Sequence, residues 1–136
     1  MPPAASLSAK MKLTPGVRAA VLNAPEGYLE KLTPAGRSID SSLNGQYDWV
    51  QIFVRNQLEL EAIITGVKGA LKPVSLLWIS FPKGTSKIQT DLTRDKGWEV
   101  LQTLELKWIT LVSVNETWSA FSLRPYKAGE EKQSFR

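Results

Sequence analysis

Residues 49–81 decide the fold, and they read WVQIFVRNQLELEAIITGVKGALKPVSLLWISF. The first six residues are almost continuously apolar, which is typical of a strand that is covered on both faces of its sheet. From Gln57 to Leu71, apolar residues recur at the spacing of one helical face, so a helix is predicted there. Pro73 is predicted to end this helix, and residues 74–81 form a second apolar strand. This order predicts a βαβ unit with parallel strands.

The segments on either side of this unit complete the predicted fold. An earlier strand is predicted at residues 17–22, and two later strands are predicted at residues 107–114 and 118–123. Three residues separate the last two strands, which requires a hairpin and therefore an antiparallel final strand. The sequence thus predicts an α/β, Rossmann-like three-layer fold of about five strands, mostly parallel, with a C-terminal antiparallel hairpin strand.

The length of 136 residues fits a single domain. Residues 1–13 are small, polar or proline-bearing, and we expect them to form a flexible N-terminal lead-in. Residues 14–126 are predicted to form the α/β domain, and residues 127–136 a charged C-terminal tail.

The composition limits the chemistry that the chain can perform. It contains no cysteine and no histidine, so thiolate metal sites and the usual zinc and haem ligands are excluded, and we expect no metal site. Histidine is also the side chain that ordinarily titrates near neutral pH. Its absence favours a binding or regulatory domain over an enzyme, and it leaves any cofactor unidentified.

The charge and hydropathy of the chain indicate its partners and its location in the cell. The net charge is +4, and the basic residues are scattered rather than clustered, which argues against nucleic acid as a partner. The sequence shows neither a signal peptide nor an apolar stretch of membrane-spanning length. We therefore expect a cytoplasmic protein with no membrane contact.

The pattern from residue 47 to residue 124 resembles the later half of Rossmann-like methyltransferases. The resemblance lies in Tyr47-Asp48-Trp49-Val50-Gln51-Ile52-Phe53, in the helix, and in Leu71-Lys72-Pro73 with Leu76-Leu77-Trp78-Ile79. It implies an aspartate-led strand, a helix and a proline-bearing turn ahead of a closing antiparallel hairpin.

The turn after the first strand departs from that family. Methyltransferases of this class carry a glycine-rich turn there, which lets the backbone approach the methionine carboxylate of the cofactor. Here the turn reads Leu22-Asn23-Ala24-Pro25-Glu26-Gly27, and no acidic strand end that would hold the cofactor ribose is evident. On these grounds we expect no methyltransferase activity.

A second resemblance is to a family of small bacterial proteins defined only as a domain of unknown function. It rests on Trp78 and the following Pro82-Lys83, on the stretch from Asp91 to Trp98, and on Trp118-Ser119-Ala120. That family has no established activity, so this resemblance supports the fold rather than a function.

The candidate site is placed by the predicted topology, because ligands of open α/β sheets gather at the carboxyl ends of the parallel strands. The predicted ligand-binding residues at that edge are Asn23, Arg55, Lys83, Ser86, Lys87, Asn115 and Trp118. Three of them are cations, and Gly84 can expose backbone N–H groups, so a small anionic ligand is expected. The alternative, ordinary solvated loops, stays open because strand-end loops are polar in soluble proteins.

These observations favour a non-catalytic small-ligand-binding or regulatory domain with an anion site at the C-terminal ends of the strands. Two other functions stay open. One is a protein-interaction module, or a homo-oligomer formed through an exposed sheet edge. The other is an enzyme that uses a perturbed lysine or carboxylate.

Overall fold

The computed structural model describes residues 10–13, 16–32, 39–84, 88, 90–92, 97–104, 106–126 and 129. Its strands are β1 (Ala19–Leu22), β2 (Tyr47–Phe53), β3 (Leu71–Pro82), β4 (Leu106–Ser113) and β5 (Trp118–Pro125). Its helices are α1 (Tyr28–Leu32), α2 (Gln57–Gly69) and α3 (Glu99–Thr103). Within these described ranges, no helix is long and apolar enough to cross a membrane.

The five strands form one sheet in the order β1-β2-β3-β5-β4. β1 pairs with β2 and β2 pairs with β3 in parallel, whereas β5 is antiparallel to both β3 and β4. The first four strands therefore run in one direction and the last strand opposes them, which confirms the predicted α/β fold. As a result, the carboxyl ends of β1 to β3 and the first residue of β5 lie at the same edge of the sheet.

Helix α2 forms because its apolar positions share one face and its first turn is capped. Leu60, Ile64 and Val67 are buried on that face. The Asn56 side chain accepts a hydrogen bond of 2.9 Å from the backbone N–H of Glu59, as an N-cap residue does. The helix ends at Gly69, two residues before its predicted end at Leu71.

The early end of α2 has its cause in the sheet. Leu71 already pairs with Tyr47, and the pairing then resumes between Leu76 and Trp49, so β3 carries extra residues in a bulge. Pro73 lies in this bulge rather than at a helix end, and it is exposed. A bulge tolerates proline because its residues leave the hydrogen-bonding ladder of the sheet.

Helices α2 and α3 cover the first face of the sheet. This first face is a continuous apolar core, whose largest contributions come from Val50, Ile52, Leu60, Ile64, Val67, Leu77, Ile79, Phe81, Trp98, Leu101, Phe121 and Leu123. Trp98 packs edge to face against Phe121, with ring centroids 5.0 Å apart, whereas Phe81 stacks on Phe121 at 5.2 Å.

The second face is covered by α1 and by residues 10–13. Its core contains Met11, Leu13, Ala19, Val21, Tyr28, Leu32, Trp49, Phe53, Trp78, Trp118 and Ala120. Phe53 and Trp78 are 2% and 1% exposed, which confirms the burial expected of residues in unbroken apolar runs.

Residues 10–13 belong to the domain, which corrects the expectation that residues 1–13 form a flexible lead-in before a domain at 14–126. Met11 and Leu13 are buried. The backbone oxygen of Met11 accepts hydrogen bonds of 2.9 Å from the indole N–H groups of both Trp49 and Trp78. Two buried indoles find their acceptor there, so the segment is part of the core. Of the predicted tail at 127–136, only Gly129 falls within the described residues.

The second face also buries a hydrogen-bonded chain of side chains. The hydroxyl of Tyr28 donates to Gln51 Oε1 at 2.6 Å, and Gln51 Nε2 donates to Ser80 Oγ at 2.8 Å. Burial raises the pKa of the Tyr28 hydroxyl well above its usual value, so this hydroxyl stays protonated and acts as the donor. The chain links α1 to the two central strands.

Candidate functional site

The described residues enclose a pocket at the carboxyl edge of the sheet. Its volume is about 440 Å³, and it is lined by Asn23, Pro25, Phe53, Arg55, Glu59 and Trp118. These residues come from the turn after β1, from the stretch 53–59 that ends β2 and opens α2, and from the start of β5, so the fold brings three separate segments together. Small-molecule pockets typically have volumes of roughly 300–1,000 Å³, so a small ligand fits this one.

The turn after β1 forms one wall of the pocket. Asn23 adopts a φ of 60°, in the left-handed region that glycine usually supplies and that asparagine tolerates better than most residues. Its side-chain amide donates to the backbone oxygen of Phe53 at 3.5 Å. The chain therefore bends sharply without glycine at this position, and the bend faces the end of β2.

Aromatic rings form the floor. The centroid of Phe53 lies 4.7 Å from that of Tyr28 and 5.1 Å from that of Trp118, and both pairs meet edge to face. Trp118 is 8% exposed and Phe53 is 2% exposed, so the remaining accessible ring surface is small. The floor is thus packed from below and leaves only a small apolar aromatic surface accessible to a ligand.

A single ion pair forms the polar side. Arg55 Nη2 lies 2.8 Å from Glu59 Oε2, and Arg55 Nε donates to the same oxygen at 2.9 Å. The backbone N–H of Arg55 donates to the other oxygen of Glu59 at 2.9 Å. Hydrogen bonding from the Arg55 side chain lowers the pKa of the Glu59 carboxyl, so both groups are ionised at neutral pH.

The structure brings together three of the predicted site residues, namely Asn23, Arg55 and Trp118, as part of the pocket lining. Lys83 lies at the end of β3, where its Nζ donates to Ser113 Oγ at 2.6 Å and its backbone N–H donates to Thr117. It therefore faces the hairpin between β4 and β5 rather than Arg55.

Asn115 also belongs to that hairpin. Its side-chain oxygen accepts from the backbone N–H groups of Thr117 and Trp118 at 2.8 and 2.9 Å, which shapes the turn that places Trp118. Ser86 and Lys87 lie outside the described residues. A role for Lys83, Ser86, Lys87 and Asn115 in ligand binding stays a prediction.

Sequence reasoning missed three lining residues, Pro25, Phe53 and Glu59. Phe53 was assigned to the core, which is also correct. Glu59 lies four residues after Arg55, which is the spacing at which opposite charges pair on a helix. That spacing was the available signal.

Asp40, an acidic residue that lies beside β1, faces away from the pocket. Asp40 forms an isolated parallel bridge with Ala20. Its carboxylate accepts from the Tyr47 hydroxyl at 2.5 Å and lies 3.7 Å from Arg18 Nη2, beside residues that precede or open β1 and β2. Asp40 therefore offers no carboxylate at the pocket edge. Within the described residues, no cluster of acidic side chains is placed to hold a metal ion.

Comparison with known proteins identifies the fold. No protein-family model and no curated protein matches the sequence. Among solved structures, the chain is similar to a ribosomal protein L11 methylase from Lactobacillus delbrueckii subsp. bulgaricus, with a TM-score of 0.58 and 10% identity over 88% of this chain and 77% of that one. Magnesium protoporphyrin IX methyltransferase from Synechocystis PCC 6803, solved with bound SAM, gives a TM-score of 0.58 and 14% identity over 88% of this chain and 74% of that one. The B. subtilis M1A22 tRNA methyltransferase TrmK gives a TM-score of 0.53 and 12% identity over 89% of this chain and 65% of that one.

These likenesses show that the chain has a Rossmann-like α/β fold. They also correct the functional expectation from the sequence. A non-catalytic ligand-binding or regulatory domain was expected, but the solved structures that share the fold are methyltransferases, and one of them holds SAM.

The pocket residues fit S-adenosylmethionine in part. A zwitterionic amino-acid end needs a cation and an anion, which Arg55 and Glu59 provide, and an adenosine needs apolar aromatic surface, which Phe53 and Trp118 provide. The fit lacks a carboxylate for the ribose hydroxyls at the end of a second strand, since Asp40 is engaged elsewhere.

Proposed function

We propose that this chain is a methyltransferase-like domain that binds S-adenosylmethionine in the pocket at the carboxyl ends of β1 and β2. One observation carries the proposal: the pocket lies at the carboxyl ends of parallel strands in a sheet whose solved relatives are methyltransferases. When bound, this cofactor supplies an electrophilic methyl group.

The residues of this chain have distinct parts in that binding. The left-handed turn at Asn23 closes one side of the pocket, and the rings of Phe53 and Trp118 exclude water from the floor. Arg55 and Glu59 give the open side its charge. Ribose hydroxyls would meet no strand-end carboxylate among the described residues, so we expect weaker cofactor binding than a site with that carboxylate would give.

The resemblance to the family of small bacterial proteins concerns the fold and names no ligand. It rests on Trp78, Pro82-Lys83 and Trp118-Ser119-Ala120, and Trp118 is one of the residues that line the pocket. Membership of that family is part of this proposal.

Binding is tested by titrating S-adenosylmethionine and S-adenosylhomocysteine into the full chain by calorimetry, with the thermal unfolding midpoint followed in parallel. A ligand of the folded state raises that midpoint as its concentration rises. We expect both ligands to do so. The Trp118 contribution to the tryptophan fluorescence reports where the ligand binds, because a ligand in the pocket changes the surroundings of the Trp118 ring.

The matched variant is Trp118→Phe, which keeps an aromatic floor but removes the reporter. Heat of binding that persists in this variant, together with loss of most of the fluorescence change, places the ligand in the pocket. The proposal is overturned if millimolar concentrations of both ligands produce neither heat nor a higher unfolding midpoint. The chain has four other tryptophans, so only a fluorescence change that is undiminished in Trp118→Phe places binding elsewhere and also overturns the proposal.

A further inference from the structure

The pocket carries a balanced pair of charges on its open side. Of the six lining residues, Arg55 is the cation and Glu59 is the anion, and they touch each other. The contacts from the Arg55 side chain to Glu59 use Nε and Nη2, two of the five N–H donors of a guanidinium group. The Arg55 side chain is 65% exposed, so its other donors face the open side of the pocket or the solvent.

The turn after β1 is a poor partner for a carboxylate. Pro25 has no backbone N–H to donate, and the side-chain amide of Asn23 is directed to the oxygen of Phe53. A ligand whose carboxylate enters this pocket therefore finds its strongest donor at Arg55 rather than in the turn.

We propose that Arg55 and Glu59 together bind the amino-acid end of the ligand, with Arg55 donating to its carboxylate and Glu59 accepting from its ammonium group. This inference rests on the proposed function, and it names the part of the ligand that the ion pair selects. The two charges of the pair are complementary to those of the ligand end, since each charge of the zwitterion meets the opposite charge on the protein.

The existing ion pair does not prevent this binding. An exposed pair of this kind contributes little to stability, so Arg55 can share its guanidinium between Glu59 and a ligand carboxylate at small cost. Glu59 stays ionised at neutral pH because Arg55 lowers the pKa of its carboxyl. Glu59 lies in the first turn of α2, which Asn56 caps, and Arg55 immediately precedes that cap.

The test compares two ligands that differ only in this end. S-adenosylhomocysteine carries the amino acid, whereas 5′-methylthioadenosine keeps the adenosine and thioether without it. We expect calorimetry on the full chain to give a Kd that is about tenfold or more higher for methylthioadenosine, the size of one charge-assisted interaction. In Arg55→Ala and Glu59→Gln, the affinity for S-adenosylhomocysteine should fall by about tenfold while that for methylthioadenosine stays unchanged.

The control is Glu61→Gln, an exposed carboxylate on the same helix outside the pocket lining, which should change neither affinity. Equal affinities for the two ligands in the unaltered chain overturn this inference and leave the proposed function standing. So does a loss of affinity in Arg55→Ala that is the same for both ligands. If neither ligand binds, the proposed function fails and this inference fails with it.

Discussion

The face of the sheet that α2 and α3 cover is filled mostly by aliphatic and aromatic packing, with the Tyr47 hydroxyl donating to Asp40, whereas the opposite face also buries a chain of side-chain hydrogen bonds. On the second face, Tyr28, Gln51 and Ser80 form a hydrogen-bonded chain, and the Met11 oxygen joins two indoles. The floor of the pocket, Phe53 and Trp118, belongs to this second face. The second face, which supplies the pocket floor, therefore orients its polar side chains through hydrogen bonds in addition to burying them.

The comparison predicts different costs for truncation on the two faces. Trp78→Ala should lower the free energy of unfolding by about 4 kcal/mol, because it opens a cavity and removes one of the donors to Met11. Ile64→Ala, on the first face, should cost about 3 kcal/mol through the cavity alone. Urea denaturation measures both values. Trp78→Phe separates the two causes, and a loss near zero in that variant would show that the Met11 hydrogen bond adds nothing.

The buried hydrogen-bonded chain provides the second prediction. Gln51→Met keeps most of the side-chain volume but leaves the Tyr28 and Ser80 hydroxyls without this partner, so it should cost about 2 kcal/mol. Adding Tyr28→Phe and Ser80→Ala should restore part of that stability, because the orphaned polar groups are then absent. Denaturation midpoints that fall further with each added change would show that the face depends on volume rather than on hydrogen bonding.

The smallest predicted difference between the faces appears at alkaline pH. The pKa of Tyr28 is raised by burial, so above about pH 10 the unfolded chain releases this proton while the folded chain keeps it. Stability should therefore be complete below pH 10 and fall as the pH rises further, by at most about 1.4 kcal/mol per pH unit.

Tyr28→Phe should remove this part of the slope in urea titrations between pH 8 and 11. Tyr47 contributes in the same direction, because its hydrogen bond to the Asp40 carboxylate raises the pKa of its hydroxyl. Tyr47→Phe should thus flatten the slope separately, and the double variant should be flattest. A slope that Tyr28→Phe leaves unchanged contradicts the assignment of Tyr28 as a buried neutral donor.

Much of the fold could be predicted because its signals are local. The α2 periodicity, the unbroken apolar strands and the three-residue hairpin joint each lie within one short segment. The antiparallel direction of the last strand followed from the length of the joint before it. The predicted end of α2 at Pro73 was wrong because proline ends a helix or sits in a bulge equally well, and only the pairing of Leu71 with Tyr47 decides between them.

The site was harder to predict because its residues meet through long-range contacts. Strand ends located Asn23, Arg55 and Trp118, but the left-handed φ of Asn23 has no signature in the sequence. Asp91 shows the same limit. Its carboxylate accepts from the backbone N–H of Gln57, 34 residues earlier, at the start of α2, and no local pattern in the sequence indicates that contact.

The Met11 hydrogen bonds also set an order of events during translation. Met11 and its partner Trp78 are 67 residues apart, so at about 5–20 residues per second the ribosome adds Trp78 roughly 3–13 seconds after Met11. Through that interval the nascent chain carries Met11 and Leu13 without the strand that buries them. The first residues of the domain to be synthesised are therefore among the last to reach their native places, and the nascent second face is open for as long as β3 is missing.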